Sequence, residues 1–295
     1  MGVEARSVAS RTDQPRPAGQ QALIEQLLNT FAADDYQPPL LPGAALQLLS
    51  LARDPDVAIS KVVTLLESEP MIVARVIRTA QSPVYSAGAR IRTIEDAVLR
   101  LGTRAIALVF AEAAMHASVF NSKEFQGPMQ ALRRHSTATA HIARKLSERI
   151  GQPGDRVYLC GLLHDIGIAA CLLVAPDLRT PDEQPFDFEA LAAPIHAVHE
   201  QAAEILSSLW NMPEGLRWVF AHHHQFALRT HISPMAALIC LSSWIAGEAG
   251  AGAIVDQDAS EQAALAAKHF GWADQVSELV ALGTDLVAEV GRGDA

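Results

Sequence analysis

Apolar residues recur at intervals of three and four positions along almost the whole chain, which is the spacing of one buried helix face. Strict alternation of apolar and polar residues, the mark of a half-buried strand, is almost absent. The pattern therefore predicts an all-α protein. We expect helices over residues 22–31, 44–52, 61–67, 70–80, 97–119, 129–150, 157–165, 168–174, 194–210, 214–224, 235–246, 260–270 and 274–290.

Capping residues, prolines and glycines mark the ends of these predicted helices. Thr93 with Asp96 three residues later resembles a capping box, and Ser60 is a plausible N-cap for the helix that follows it. Pro194 is expected to open a helix, and Gly167 is expected to stop one and leave space beside it.

A change of pattern near the middle of the chain predicts two helical lobes. Residues 1–19 contain Arg, Ser, Gln, Pro and Gly without periodicity, so we expect a disordered lead. The remainder, 20–291, is predicted to be one domain with a two-lobed helical bundle. A break at 121–128 separates a lobe of about 20–121 from a second lobe of about 128–291.

Composition and charge exclude several classes of protein. Apolar residues make up 49% of the chain and charged residues 19%, which excludes a wholly disordered protein. The net charge of −10 argues against direct nucleic-acid binding, which needs clustered Lys and Arg. The longest uncharged stretch, 232–247, is too short to span a membrane. Cys160, Cys171 and Cys240 lie in apolar stretches, as expected of buried free thiols in a cytoplasmic protein.

The sharpest chemical signal is the pair His164–Asp165, which ends an apolar run over 157–163. Burial of such a pair is costly unless it is hydrogen-bonded, ion-paired or metal-bound. Taken alone, the pair predicts only a structural hydrogen bond between two helices. However, nine of the eleven histidines lie between His135 and His231, which makes a functional cluster the stronger interpretation.

Four predicted helices each carry an inward-facing or terminal histidine in this region, and His196 could approach the same place. Neutral imidazoles with one carboxylate form a mixed N/O ligand set for a divalent transition metal such as Fe, Mn, Zn or Ni. His141, His224 and His231 are expected to be exposed to solvent. The predicted metal-binding set is His135, His164, Asp165, His199, His222 and His223.

These motifs resemble the HD superfamily of metal-dependent phosphohydrolases and, more narrowly, the HDOD domain, a non-catalytic or degenerate relative in bacterial signalling proteins. The similarity covers about residues 37–246. The matching stretches are 134–140, 163–167, His199 with Ala203, 212–214 leading to His222–His223, 39–42, 54–57, 67–70, 81–83 and 94–102.

Two departures from the active enzymes bear on function. The family's late aspartate is expected within 238–246, where Ser242 or Ser243 stands instead, and no Gly-Tyr-Pro motif follows the paired histidines. The resemblance therefore implies a signalling module without hydrolase activity. The implied partners are a sensor kinase, a response regulator or a cyclic-dinucleotide pathway component. The alternatives are a metal-dependent phosphohydrolase acting on nucleotides and a ligand-binding sensor.

Overall fold

The computed structural model describes residues 18–39, 57–67, 70–81, 91, 93–152, 154–180, 184–228, 231–252 and 259–293. The predicted helix over 44–52 and all but the last two residues of the predicted lead 1–19 lie outside the described residues. Ala18 and Gly19 begin the first helix, so the regular structure starts before the predicted residue 22.

The prediction of an all-α fold is confirmed. The described helices are α1 (Ala18–Ala32), α2 (Ile59–Glu67), α3 (Pro70–Gln81), α4 (Ile94–Ser118), α5 (Gln126–Ser147), α6 (Gly154–Leu163), α7 (Ile166–Val174), α8 (Phe188–Leu209), α9 (Glu214–His222), α10 (Pro234–Glu248), α11 (Ser260–His269) and α12 (Val276–Gly293). Short 3₁₀ turns cover Glu148–Ile150, Ala175–Leu178 and Ala273–Gln275. A small antiparallel ribbon joins β1 (Ala227–Leu228) to β2 (His231–Ile232).

Two of the predicted helix starts are wrong. Ser60 lies inside α2, which begins at Ile59, so it is not the N-cap. Its carbonyl oxygen accepts a hydrogen bond from the hydroxyl of Thr64. Pro194 lies inside α8, because the helix begins earlier, after Asp187, whose side chain accepts a hydrogen bond from the N–H of Glu189. That cap starts the helix before the proline, at the cost of one backbone hydrogen bond.

The capping box at the start of α4 is confirmed. The Thr93 side chain accepts from the Asp96 N–H, and the Asp96 carboxylate accepts from the Thr93 N–H, with 3.1 Å for each bond. Helix α4 has a kink at Gly102, whose φ of 78° lies in the region that favours glycine. Residues of α4 contribute to two hydrophobic cores.

The buried side chains form two hydrophobic cores that share α4. The smaller core contains residues of α2, of α3 and of α4 from Ala97 to Ala113, with Phe110 fully buried. The larger core contains the end of α4 with Met115 and extends through α12. Helix α1 belongs to this larger core through Leu27 and Phe31 and packs against α8, although it precedes the smaller core in sequence.

Glycines permit two close helix contacts within the larger core. A Cβ at Gly161 of α6 would lie 2.7 Å from the Cα of Ala140 in α5. A Cβ at Gly167 of α7 would lie 2.8 Å from the N atom of Ala203 in α8 and would collide with the carbonyl oxygen of His199. Gly167 was predicted to stop a helix, and that prediction is wrong. It lies in the first turn of α7 and permits close contact with α8.

One described stretch, Gly154–Leu178, is long and apolar enough to cross a membrane. It comprises α6, α7, the turn between them and the 3₁₀ turn Ala175–Leu178, and 89% of its most apolar window is buried inside the protein. Its apolar composition is therefore accounted for by the larger core.

Candidate metal centre

The pair His164–Asp165 forms the turn between α6 and α7, in the interior of the larger core. The exposed fractions are 0% for His164 and 3% for Asp165. Because Gly167 lets α8 approach this turn closely, His199 of α8 reaches the same place. The sequence thus builds the site from a buried polar turn and a helix that packs against it.

Three histidines share one hydrogen-bonding arrangement. The Nδ1 atoms of His164, His199 and His223 lie 2.8, 2.8 and 3.0 Å from the carbonyl oxygens of Gly161, His196 and Phe220 respectively. A carbonyl oxygen can only accept, so each Nδ1 carries the proton. When such a ring is neutral its Nε2 has a free lone pair, and none of the three buried Nε2 atoms has a hydrogen-bond partner among the residues that the structure describes.

The carboxylate of Asp165 lies at the centre of the cluster, and its two oxygens face different histidines. Oδ1 lies 3.3 Å from Nε2 of His223 and 3.9 Å from Nε2 of His199. Oδ2 lies 3.2 Å from Nε2 of His164 and 3.6 Å from Nε2 of His135. The cluster consequently has two sides that share Asp165.

Each side brings metal-ligating atoms within 4.8 Å of one another. The Oδ1 side comprises Asp165, His199, His223 and His224, and the Oδ2 side comprises His135, His164 and Asp165. The Oδ1 side therefore offers three imidazoles and a carboxylate, which is a sufficient set for a transition metal.

His135 on the Oδ2 side is engaged in hydrogen bonds at both ring nitrogens. Its Nδ1 donates to the carbonyl oxygen of Ala251 at 2.8 Å, so its Nε2 accepts from the hydroxyl of Ser243 at 3.0 Å. The neighbouring Ser242 instead donates to the carbonyl oxygen of Leu238 within its own helix at 2.7 Å. Of the two serines left open by the sequence, Ser243 is the one that faces the site.

Burial and charge set the protonation states of the cluster. Burial lowers the pKa of His135 to about 4 and that of His199 to about 3, although Asp165 opposes both shifts. Burial raises the pKa of Asp165, but His164 and His223 outweigh it and hold that pKa well below its usual value. Burial lowers the pKa of His223, but Asp165 and Glu200 outweigh it and raise that pKa. The site thus contains an ionised carboxylate, rings that burial keeps neutral at His135 and His199, and a ring at His223 whose protonated form Asp165 and Glu200 favour.

The structure brings together five of the six predicted residues but not His222. The His222 ring is half-buried, donates from Nδ1 to the carbonyl oxygen of Trp218 at 2.9 Å and stacks on the indole at a centroid distance of 4.6 Å. His224, predicted to be exposed, is half-buried beside His223 and His199, with centroid distances of 4.2 and 5.1 Å. Burial, together with His223 and His199, lowers the pKa of His224 well below its ordinary value.

The spacing of buried residues along α9 could have predicted that the paired histidines of the site are His223 and His224, one residue later than the predicted pair His222 and His223. The inward face of α9 contains Leu216, Val219 and Phe220, all buried. Continuing that spacing leads to His223 and His224, whereas His222 falls beside the face. His141 also differs from the prediction, because it is half-buried with its ring edge-on to Tyr158 at 5.2 Å.

The donor atoms of this site fit a divalent transition metal. Three buried Nε2 atoms without hydrogen bonds surround an ionised carboxylate, and each ring is held in place by an Nδ1–H bond to the backbone. The Nδ1–H bonds fix the ring orientation and the tautomer that metal ligation through Nε2 requires. The Oδ1 side, with Asp165, His199, His223 and His224, would hold the ion.

Comparisons with known proteins agree with this description. The HDOD domain family matches residues 39–226. No curated protein matches the sequence. A candidate metal-dependent phosphohydrolase from Shewanella amazonensis SB2B is similar in fold, with 20% identity, a TM-score of 0.67, and coverage of 92% of this chain and 100% of that chain.

Two further solved structures share the fold. An HDOD domain protein of unknown function from Geobacter sulfurreducens has 22% identity and a TM-score of 0.64, covering 90% of this chain and 98% of that one. A candidate signal transduction protein from Marinobacter aquaeolei VT8 has 22% identity and a TM-score of 0.66, with coverage of 94% of this chain and 67% of that chain. Since the family match spans most of the chain and the folds agree, the chain belongs to the HDOD domain family.

Proposed function

We propose that this HDOD protein is a regulatory module of bacterial signal transduction whose His–Asp site holds a divalent transition metal without hydrolysing nucleotides. Fe, Mn, Zn and Ni are the candidate ions. The metal part of the proposal is supported by the Asp165 carboxylate and by the unpartnered Nε2 atoms of His199 and His223 on its Oδ1 side. When bound, such an ion supplies positive charge that compensates the buried carboxylate and ties α7, α8 and the end of α9 together.

The observation that carries the non-catalytic part is the depth of the site, which approaches the surface at the half-buried His224. His164, Asp165, His199 and His223 are all at most 3% exposed. Hydrolysis at a metal requires a coordination position open to substrate and a positioned water. The Ser243 hydroxyl at His135 supports the same conclusion, since a neutral group stands where active relatives are expected to carry an aspartate.

The proposed partners are other signalling proteins, namely a sensor kinase, a response regulator or a component of a cyclic-dinucleotide pathway. A cytoplasmic location would suit the three cysteines, which are all buried free thiols. The net charge of −10 supports protein partners over nucleic acid. Neither nucleic acid nor a membrane is part of the proposed activity.

The alternative is a metal-dependent phosphohydrolase acting on nucleotides. It is supported by the same donor set and by the similarity in fold to the candidate phosphohydrolase from Shewanella amazonensis. The two proposals differ in turnover, because only the enzyme releases product at a steady rate.

A hydrolysis assay separates the two. The purified full chain and its His164→Ala/Asp165→Ala variant are incubated with a panel of nucleoside phosphates and cyclic dinucleotides in the presence of Mn²⁺ or Fe²⁺. We expect no steady product release from either protein, while the variant unfolds at lower denaturant concentration because buried polar groups lose their partners. Steady turnover by the wild type that the variant lacks would establish the enzyme instead.

A further inference from the structure

His196 is an exposed histidine at the edge of the buried cluster. It lies on α8, three residues before His199, and the two rings stack with a centroid distance of 5.6 Å and an interplanar angle of 29°. The His196 ring also lies 6.1 Å from that of His224. His196 is thus next to two residues of the Oδ1 side without belonging to that group of ligands.

Solvent exposure increases steadily from Asp165 toward His196. Asp165 and His199 are buried, His224 is half-buried, and His196 is exposed. Glu200, one helical turn after His196, has 21% of its side chain exposed. These three residues, His196, Glu200 and His224, are called the rim here, and they are where the cluster reaches the surface.

The rim has the chemistry of a cation-binding surface. The Oε1 atom of Glu200 accepts a hydrogen bond from the backbone N–H of His224 at 3.0 Å and lies 3.6 Å from Nδ1 of His223. This fixes a carboxylate at the entrance, where its charge attracts cations and raises their local concentration.

The His196 imidazole is available to a ligand. Its backbone carbonyl accepts the Nδ1–H bond of His199, which fixes the backbone at this position. Among the residues that the structure describes, its ring nitrogens have no hydrogen-bond partner. An exposed imidazole is a good first ligand for a divalent transition metal that arrives from solvent.

We propose that the rim is the route by which a divalent transition metal enters and leaves the buried site. His196 captures the ion from solvent, Glu200 favours its approach by charge, and the ion exchanges to His224 and His199 by replacement of one imidazole ligand by another. No covalent bond of the protein is made or broken. This inference rests on the proposed metal site and adds to it a residue that acts on the rate of metal exchange.

The test compares metal exchange in the full chain after removal of metal by a chelator. Co²⁺ uptake is followed by its visible absorption after rapid mixing, and release is followed after addition of excess chelator. The variant is His196→Ala, and the matched control is His269→Ala, which removes another exposed helical histidine, in α11. Alanine is the best helix former, so the first variant should retain its fold.

We expect His196→Ala to slow Co²⁺ uptake about tenfold, the lower end of electrostatic and local-concentration effects on association rates. Release should slow by the same factor, because His196 lies on the route in both directions and the equilibrium Kd is unchanged. His269→Ala should exchange metal at the wild-type rate.

Three results would overturn the inference. Equal rates in His196→Ala and the wild type would show that metal enters elsewhere. A weaker Kd with unchanged uptake would make His196 a permanent ligand. Equally slow Co²⁺ exchange in His269→Ala would show that the effect is not specific to His196. A wild type that binds no Co²⁺ would reject the proposed metal site itself, which is a distinct outcome.

Discussion

The Nε2 atom of His135 lies 3.0 Å from the hydroxyl oxygen of Ser243, and the hydroxyl donates the hydrogen bond. His135 uses its other ring nitrogen as a donor to the backbone of Ala251. A residue that would be a metal ligand in the Oδ2 group is therefore satisfied by the protein alone. The Oδ2 side therefore differs from the Oδ1 side, where the Nε2 atoms of His199 and His223 face Asp165.

Replacing Ser243 with Ala should destabilise the fold. The change leaves Nε2 of His135 buried without a donor, which costs about 1–3 kcal/mol in the free energy of unfolding. Urea denaturation at neutral pH measures the loss. Ser242→Ala is the matched control, because the Ser242 hydroxyl donates to a carbonyl oxygen of its own helix and its removal should cost much less. Equal losses in the two variants would contradict the role of Ser243.

Replacing Ser243 with Asp should rebuild a carboxylate on the Oδ2 side. Without metal, a second buried negative charge near Asp165 is expected to destabilise the protein by about 3 kcal/mol. Added Zn²⁺ should then raise the Tm of this variant more than that of the wild type. Ser242→Asp should be destabilised without this additional rescue, since Ser242 faces its own helix. Identical responses of both variants to Zn²⁺ would refute the assignment.

Replacing Gly167 with Ala should separate α7 from α8. The added Cβ collides with the His199 backbone, so the helices must shift, at a cost of about 1–3 kcal/mol or somewhat more. Metal affinity should fall as well, because His199 moves relative to Asp165. Gly127→Ala in α5 is the control, since a Cβ there meets nothing within 4 Å. Calorimetric unfolding and metal titration of both variants measure the two effects, and an unchanged Gly167→Ala protein would contradict the packing.

Because of the Tyr36 hydroxyl, the free energy of unfolding should decrease as the pH rises above 10. Burial, reinforced by Cys171, raises the pKa of Tyr36 from 10.0 to about 12. A raised pKa stabilises the fold fully below pH 10, and this contribution is lost as pH rises from 10 toward 12. Tyr36→Phe should therefore lose less stability than the wild type over this interval, as measured by urea denaturation at several pH values.

The same substitution should be harmless at neutral pH, because the buried Tyr36 hydroxyl has no hydrogen-bond partner in the part of the chain that the structure describes. Tyr158→Phe provides the contrast, since the Tyr158 hydroxyl donates to Glu112 at 2.7 Å inside the protein. That variant should lose stability at neutral pH. A Tyr36→Phe protein with the larger neutral-pH loss would show that Tyr36 is bonded in solution.

Much of the architecture could be predicted from the sequence because the helical repeat records which face of each segment is buried. The inward positions of His135 and His199 follow from that repeat, and His164–Asp165 follows from the desolvation cost of a polar pair in an apolar run. The convergence of these residues depends on helix crossings, which local spacing does not specify.

The errors differ in origin. Gly167 could not be recognised as a contact glycine because its partner, the His199 backbone, is 32 residues later in the chain. The prediction of His222 instead of His224 was avoidable, because the buried face of α9 continues to His223 and His224. The choice between Ser242 and Ser243 depends on the rotation of α10 about its axis, which tertiary packing sets.

The most direct test of the central claim is the metal content of the purified full chain, measured by elemental analysis after equilibration with Zn²⁺ and gel filtration. The account predicts that the wild type retains Zn²⁺ in a fixed ratio to protein. Asp165→Asn should lose it, because Asp165 is shared by both sides of the cluster. His222→Ala should retain it, because His222 stacks on Trp218 outside the cluster. A wild type without Zn²⁺, or an Asp165→Asn variant that keeps it, would contradict the account.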